Sequence, residues 1–441
     1  MMQKKMISSY EEAVSYCMDI PRFTGKNSMA ATKAFYKALG MPAHDKKIIH
    51  VAGTNGKGSV CAFLYSILRQ MGKKTGMFTS PHLTDIRERI QMNGCLVDKE
   101  KFYCGFSRVY TVWQEFVTQA AYENYHPSFF EMLFFVGMCV FEKEDVEYLI
   151  LETGLGGRLD TTNIIEHPIL SIITKIGYDH TEYLGDTLVE IAKEKAGIIK
   201  KNTPILYWKN QDEISEVFEE KAKESESLCI SVSKADGNLI RNHHKQVDFS
   251  YKSRYYEYVE VKIDSSAVYQ IENATLALRA IETIFSPHEI SIEILQQGIY
   301  HMNWKGRMEE VLPGVYFDGA HNEDGIAALL ETVKQDGCKG RRYLLFSVVE
   351  DKRYKEMTEA ICESGVFNEI ITVQMDNKRG LDSASLKNLF KNYPHVSAAS
   401  TAEAGLLQLL DERKQNDYIY VTGSLYLIGQ LKQFVEENVY D

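Results

Sequence analysis

The sequence predicts an α/β protein of two domains. Residues 1–300 should form a mostly parallel sheet flanked by helices, with a small antiparallel sheet beside it, and residues 301–441 a smaller Rossmann-like α/β domain. Three observations predict this. The chain has 441 residues, more than one compact core serves. Short β-branched runs alternate with helical periodicities, the pattern of strands joined by crossover helices. The connector Trp304-Lys-Gly-Arg-Met308 separates a long first alternation from a shorter second one.

Composition narrows the class of partner. The net charge is −11, which argues against nucleic acid and against an anionic membrane surface. Any anionic ligand must then be held by local positive charge. The N-terminal stretch Met1–Tyr10 lacks the apolar run of a signal peptide. The greasiest stretch, Phe129–Phe141, is interrupted by Glu131 and is too short to span a bilayer, so it reads as a buried helix. Eight cysteines are scattered with no C-x-x-C spacing, which suggests reduced thiols and no zinc site or disulfide frame. A cytoplasmic protein and a monomer are expected.

Taken in order, residues 8–40 are helical with a break at Pro21. The turn-rich segment Asp19–Asn27 reads as a surface loop. Lys47–Ala52 is a strand and Val60–Arg69 a helix, and between them lies Gly53-Thr-Asn-Gly-Lys-Gly-Ser59. Gly53, Gly56 and Gly58 let backbone N–H groups converge on one anion at a helix start. Lys57 adds a full positive charge, and Thr54 and Ser59 add hydroxyls for phosphate or Mg²⁺. The strict pattern G-x-x-x-x-G-K-[ST] fails at Val51 and at Gly58. Even so, this P-loop-type arrangement points to a nucleoside triphosphate held by its β- and γ-phosphates.

Further strands end in chemistry. Lys74–Thr84 is strand-like until Pro81, which leaves Ser80 at a strand end, where ligand sites of α/β sheets gather. Val146–Leu151 delivers Glu152, an acid placed like a Mg²⁺ ligand, then Gly154, Gly156, Gly157, Arg158, Asp160 and Thr161. Ile169–Thr174 leads to His180, which alone would read as a cap or core histidine. Glu190–Ile199 is a charged helix bearing Lys193 and Lys195. Pro204–Trp208 and Leu228–Val232 are strand-like, Phe249–Ile263 alternates like an antiparallel hairpin, and Gln270–Ala280 is helical. In the second domain the strands are Val315–Phe317, Tyr343–Val349, Glu369–Val373 and Tyr418–Thr422, with helices between them, so that sheet should be largely parallel.

The string Gly53–Ser59 resembles the phosphate loop of the Mur ligase superfamily, and within it the folylpolyglutamate synthase/dihydrofolate synthase branch. Five further strings support the resemblance in the family's order across essentially the whole chain. They are Thr79-Ser-Pro-His-Leu83 with Arg87-Glu-Arg89, Glu152–Asn163, Asp179-His-Thr with Leu184-Gly185, Lys195-Ala-Gly-Ile198, and Asp318-Gly-Ala-His-Asn322. The resemblance implies that ATP is held by Gly53, Thr54, Asn55, Gly56, Lys57, Gly58 and Ser59, together with Asn273, Arg307, Asp318 and His321. It implies magnesium ligands at Ser59, Ser80, Glu152 and His180, although imidazole is not a favoured ligand of Mg²⁺. It implies a pterin pocket involving Phe129, Phe130, Glu131, Asp160 and Thr161, with the segment 19–27 over it. Lys195 matches a lysine that is carbamylated in the superfamily. Two late strings depart from the pattern, with Ser347 where glycine is usual and Ser424 where alanine is frequent.

The reading is an ATP- and Mg²⁺-dependent ligase of folate metabolism that joins L-glutamate to a folate carboxylate through an acyl phosphate. Tetrahydrofolate and possibly dihydropteroate are its acceptors, and Lys57, Lys195, Glu152 and His180 carry the catalysis. The alternatives are a cell-wall Mur ligase acting on a UDP-linked substrate, a P-loop nucleotide hydrolase, and a non-enzymatic folate- or nucleotide-binding module.

Overall fold

The computed structural model describes residues 7–21, 27–243 and 245–438. The large sheet has eight strands. These are β1 (Lys47–Ala52), β2 (Thr75–Phe78), β3 (Ile90–Met92), β4 (Cys95–Leu96), β5 (Tyr148–Glu152), β6 (Leu170–Ile173), β7 (Ile205–Trp208) and β8 (Cys229–Val232). Their spatial order is β4-β3-β2-β5-β1-β6-β7-β8. The six strands from β2 through β8 in that order are parallel, and the β3–β4 hairpin adds an antiparallel edge. Parallel strands buried on both faces read as nearly continuous apolar runs, and β5 is buried at all five positions and apolar until Glu152 at its end. Alternate residues feed opposite faces. Ile48, Leu149 and Leu151 join the core under the helices Lys99–Phe116 and Phe129–Lys143. Ile49, Val51 and Ile150 join the core under Lys57–Gln70 and Gln270–Ile284.

A three-stranded antiparallel sheet packs against the second of these cores, made of β9 (Gly237–His243), β10 (Gln246–Tyr251) and β11 (Val259–Ile263). The hairpin pattern identified β10 and β11. Strand β9 escaped it because it is an edge strand with most of its residues exposed.

After the helix Ile292–Tyr300 the chain crosses to a six-stranded sheet. It contains β12 (Glu309–Leu312), β13 (Val315–Phe317), β14 (Arg342–Phe346), β15 (Glu369–Val373), β16 (Val396–Ala399) and β17 (Tyr418–Thr422), in the order β12-β13-β17-β14-β15-β16. All pairs are parallel except β12 with β13. The two strands absent from the sequence reading, β12 and β16, are the two edges. Their few buried apolar residues leave little periodicity to detect. Helices cover both faces. Among the described residues no helix is long and apolar enough to cross a membrane.

Candidate active site

The carboxyl ends of β2, β5, β1 and β6 are neighbours in the large sheet, so the loops after them converge on one rim. The loop after β1 is preshaped by its neighbour. The N–H groups of Thr54 and Asn55 donate to the carbonyl of Lys175 at 3.0 and 3.2 Å, and Thr174 Oγ1 donates to the Asn55 carbonyl at 2.7 Å. Gly56 has φ +89°, the left-handed region, and forms the N-cap of the helix Lys57–Gln70 with no side chain capping it. The first N–H groups of that helix therefore remain open to an anion. Lys57 Nζ lies against the Gly53 and Thr54 carbonyls at 3.1 and 3.2 Å. Gly58 has a packing reason as well, since a Cβ there would sit 2.8 Å from the Trp304 indole. The hydroxyl of Thr54 differs from the sequence expectation. It is buried and donates to the Gly177 carbonyl at 3.0 Å, so it braces the loop and its proton is not free for a phosphate.

Glu152 ends β5 and is buried, and one carboxylate oxygen accepts the Ser80 N–H at 2.9 Å. Burial pushes its pKa up, opposed by the charges of Lys57, Arg307 and Arg89. Ser59 is buried on the phosphate-loop helix, and its Oγ accepts from Gln270 Nε2 at 3.2 Å. Lys195, on the helix Leu188–Ala196, is buried and donates from Nζ to the Gly53 carbonyl at 2.8 Å. Burial, reinforced by Lys57, pushes its pKa down to about 7. Lys193, two residues away, is exposed.

The second sheet closes the rim. Asn55, Gly56, Ser59, Lys175, Tyr269 and Asn273 face Arg307, Asp318, Gly319 and His321 across an open cleft. Asp318 is buried, and its Oδ2 accepts the Tyr269 hydroxyl at 2.6 Å and the Met308 N–H at 2.9 Å. Asn273 Nδ2 donates to Gln270 Oε1 at 2.9 Å. The Arg307 guanidinium donates to the Gly306 carbonyl at 3.0 Å.

Asp179, which the sequence did not single out, is the centre of a cluster spanning the cleft. Its carboxylate is ion-paired with Lys352, lies 3.6 Å from His321 Nε2 and accepts from Asn322 Nδ2 at 3.4 Å. The same Asn322 amide donates to Asn55 Oδ1 at 3.0 Å. Burial alone would raise the Asp179 pKa, but His321 and Lys352 hold it well below the usual carboxylate range. His180 has φ +50° and a half-buried ring. Burial pushes its pKa down to about 4, so the imidazole is neutral at pH 7.

On the far side of Glu152, Ser128 and Glu131 form a capping box at the start of the helix Phe129–Lys143. Glu131 is buried, and its oxygens accept from Asn27 Nδ2 at 2.7 Å and Thr32 Oγ1 at 2.8 Å. The Phe130 ring covers Gly154, where a Cβ would lie 2.7 Å from it. Phe129 lies under the Arg89 guanidinium, 5.2 Å away, and Arg89 Nε donates to His82 Nδ1 at 2.8 Å. Asp160 Oδ1 accepts from the Thr162 hydroxyl at 2.6 Å, and that hydroxyl is 2.8 Å from Nε2 of the buried His50. Thr161, at the start of the turn Thr161–Ile164, is half-buried. The segment expected over the pterin pocket lies partly outside the described residues.

Residues 134–281 match the Mur ligase middle domain and residues 306–425 match the Mur ligase glutamate ligase domain. The dihydrofolate synthase/folylpolyglutamate synthase of Bacillus subtilis is 34% identical over 439 residues, covering 97% of this chain and 99% of that protein. The chain belongs to this family. A crystal structure of the Thermotoga maritima folylpolyglutamate synthase superposes with a TM-score of 0.82 at 27% identity, over 97% of this chain and 96% of that one. The Mycobacterium tuberculosis folylpolyglutamate synthase complexed with ADP and AMPPCP has the same fold, with a TM-score of 0.87 at 24% identity over 96% of this chain and 98% of that one.

For a folylpolyglutamate synthase-type site, the donor set suits Mg²⁺ rather than a softer metal. Among the described residues no three His, Cys, Asp or Glu side chains gather closely enough to hold an ion. The rim offers instead one buried carboxylate, Glu152, with serine hydroxyls at Ser59 and Ser80. Such a set matches a hard cation that keeps waters and takes its other oxygens from phosphates. The sequence assigned no role to Asp179, Lys352, Tyr269, Gln270 or Arg89, although Asp179 and Arg89 lie within strings quoted above. Asp179 adjoins a residue already singled out, but nothing local announces that it meets a lysine 173 positions later.

Proposed function

We infer that this chain is an ATP-dependent amide ligase that joins L-glutamate to a folate carboxylate, giving ADP and phosphate. The observation that carries this reading is one cleft in which Asn55, Gly56, Ser59 and Asn273 of the first domain face Arg307, Asp318 and His321 of the second, beside a buried Glu152 that feels the charges of both Lys57 and Arg307, in a chain colinear with a dihydrofolate synthase/folylpolyglutamate synthase. Residues 1–300 act as the ATP- and folate-binding domain and 301–441 as the glutamate-ligase domain.

The terminal phosphoryl of ATP moves to the folate carboxylate: the bond between the β–γ bridging oxygen and the γ-phosphorus breaks, a carboxylate oxygen takes its place, and ADP leaves. The glutamate amine then attacks the acyl carbon, losing a proton, and phosphate departs with the C–O electron pair. The open N–H groups of residues 56–59 and the Lys57 ammonium bind the phosphates and offset charge on the transferring group. Arg307 approaches from the opposite wall. Glu152, Ser80 and Ser59, together with His180, would hold Mg²⁺, which when bound would shield phosphate charge and polarise the γ-phosphoryl. Lys195, with its pKa near 7, has a neutral amine that would add to CO₂ and release a proton, and the resulting carbamate would offer two oxygens to a magnesium ion. Asn273, Asp318 and His321 shape the nucleotide wall, while Phe129, Phe130, Glu131, Asp160 and Thr161 shape the pterin side. Closure excludes water from the acyl phosphate. The enzyme acts as a cytoplasmic monomer.

The deciding experiment follows ATP-dependent incorporation of labelled glutamate into dihydropteroate and, separately, into tetrahydrofolate. Stoichiometric ADP with product in either arm supports the reading. ADP release that needs neither glutamate nor folate would make the chain a nucleotide hydrolase, and transfer only to a UDP-linked acceptor would make it a cell-wall ligase.

A further inference from the structure

We propose that Leu83 is an interdomain positioning residue that keeps the connector bearing Arg307 in register with the loop bearing Ser80; the catalytic part of this inference rests on the function proposed above. Leu83 belongs to the first domain by sequence, yet its side chain packs on the core of the second, where it and Ile428 both border Gly306. Two glycines make the socket. Gly306 has φ +69°, and a Cβ there would come within 3.2 Å of Leu83 Cδ1 and 3.5 Å of Ile428 Cγ2. Gly429 lies inside the helix Leu425–Asn438, where glycine is unfavourable unless something must approach closely. A Cβ on Gly429 would overlap the backbone carbonyl oxygen of Leu83.

Both sides of this contact are tied to the site. On the loop side, the Glu88 carboxylate gathers the N–H groups of Leu83, Thr84 and Asp85 at 2.6, 3.1 and 3.0 Å. Three residues before Leu83, the Ser80 N–H is bonded to Glu152. On the connector side, the Gly306 N–H donates to Glu309 Oε2 at 2.8 Å, and Glu309 is ion-paired with the buried Lys432, one turn from Gly429 in the same helix. The Gly306 carbonyl accepts the Gly319 N–H at 2.8 Å and the Arg307 guanidinium at 3.0 Å. One apolar side chain thus links the two walls mechanically: displacing the second domain from the Ser80 loop must pull Leu83 out of its socket or carry Arg307 away from the cleft.

The test compares Leu83→Ala, Leu83→Met and Gly429→Ala in the full chain, with two readouts. In the ligation assay Leu83→Ala is expected to lower kcat about tenfold or more while the KM for the folate acceptor stays within roughly threefold, and Leu83→Met should recover most of kcat. Gly429→Ala, which blocks the socket from the other side, should reproduce the kcat loss. In limited trypsinolysis of the unliganded protein, cleavage after Lys305 or Arg307 should be about fivefold faster in Leu83→Ala and near wild type in Leu83→Met. Wild-type cleavage rates in Leu83→Ala would overturn the mechanical link whatever the activity. A Leu83→Ala enzyme with unchanged kcat, or a Leu83→Met enzyme no better than Leu83→Ala, would overturn the catalytic part. A wild-type chain that ligates nothing counts against the proposed function and leaves the trypsinolysis arm to decide the link.

Discussion

Replacing Lys195 by methionine removes a buried amine while keeping most of its volume, and the structure specifies how the effect depends on pH. The Lys195 pKa falls from 10.5 to about 7, chiefly through burial and then through Lys57. At 1.36 kcal/mol per decade, a fall of that size costs the folded apoprotein roughly 5 kcal/mol at pH values below 7. Between pH 7 and 10.5 the unfolded lysine carries a proton that the folded one lacks, so wild-type stability rises with pH across this window. The cost fades as the pH approaches 10.5. Methionine has no such cost, but it forfeits the bond to the Gly53 carbonyl, worth about 1 kcal/mol. Lys195→Met is therefore expected to be more stable than wild type at pH 6.5 by a few kcal/mol, and the gap should shrink by roughly 3 kcal/mol at pH 9.5. Urea denaturation of both proteins at the two pH values checks this, without nucleotide and in CO₂-depleted buffer so that the amine stays unmodified. A gap that does not change with pH, or a variant that is less stable at pH 6.5, would refute the assignment of Lys195 as a buried amine titrating near neutrality.

Lys57→Ala should leave the thermal midpoint nearly unchanged and cut ligation by about 100-fold or more, as expected for loss of a group that acts on the transferring phosphoryl; activity within threefold of wild type would remove Lys57 from that role. Lys195→Ala should lose most activity and regain part of it with added short carboxylic acids, because a carboxylate can occupy the place of the carbamate; steady-state rates with and without acetate decide it. Asp179→Ala strands Lys352, whose side chain is 8% exposed, and should destabilise the chain by roughly 3–5 kcal/mol, whereas Asp179→Ala with Lys352→Met should recover much of that loss in urea titrations. Gly306→Pro should lower both the thermal midpoint and turnover, since proline can neither adopt φ +69° nor donate to Glu309; an unaltered midpoint would show that the connector tolerates other conformations.

The sequence by itself determined the strands that are buried and the motifs at their ends. Residues 48–52, interrupted only by His50, and 148–151 are near-continuous apolar runs because both faces of a parallel strand are covered, and such runs stand out in any chain. The phosphate loop was legible for a local reason: glycines, a lysine and a helix start interact over seven consecutive residues, so their spacing carries the geometry. Edge strands β9, β12 and β16 were not legible, because an edge that buries few side chains imposes little pattern on its residues. The role of the Thr54 hydroxyl was invisible too, since its acceptor is the carbonyl of Gly177, which another strand end brings to it. Only the tertiary structure could bring Asp179 to Lys352, tie Tyr269 to Asp318 and seat Leu83 between Gly306 and Gly429. These contacts join residues tens to hundreds of positions apart. Their energy depends on burial and on the meeting of two sheets, and neither quantity exists until the chain has closed on itself.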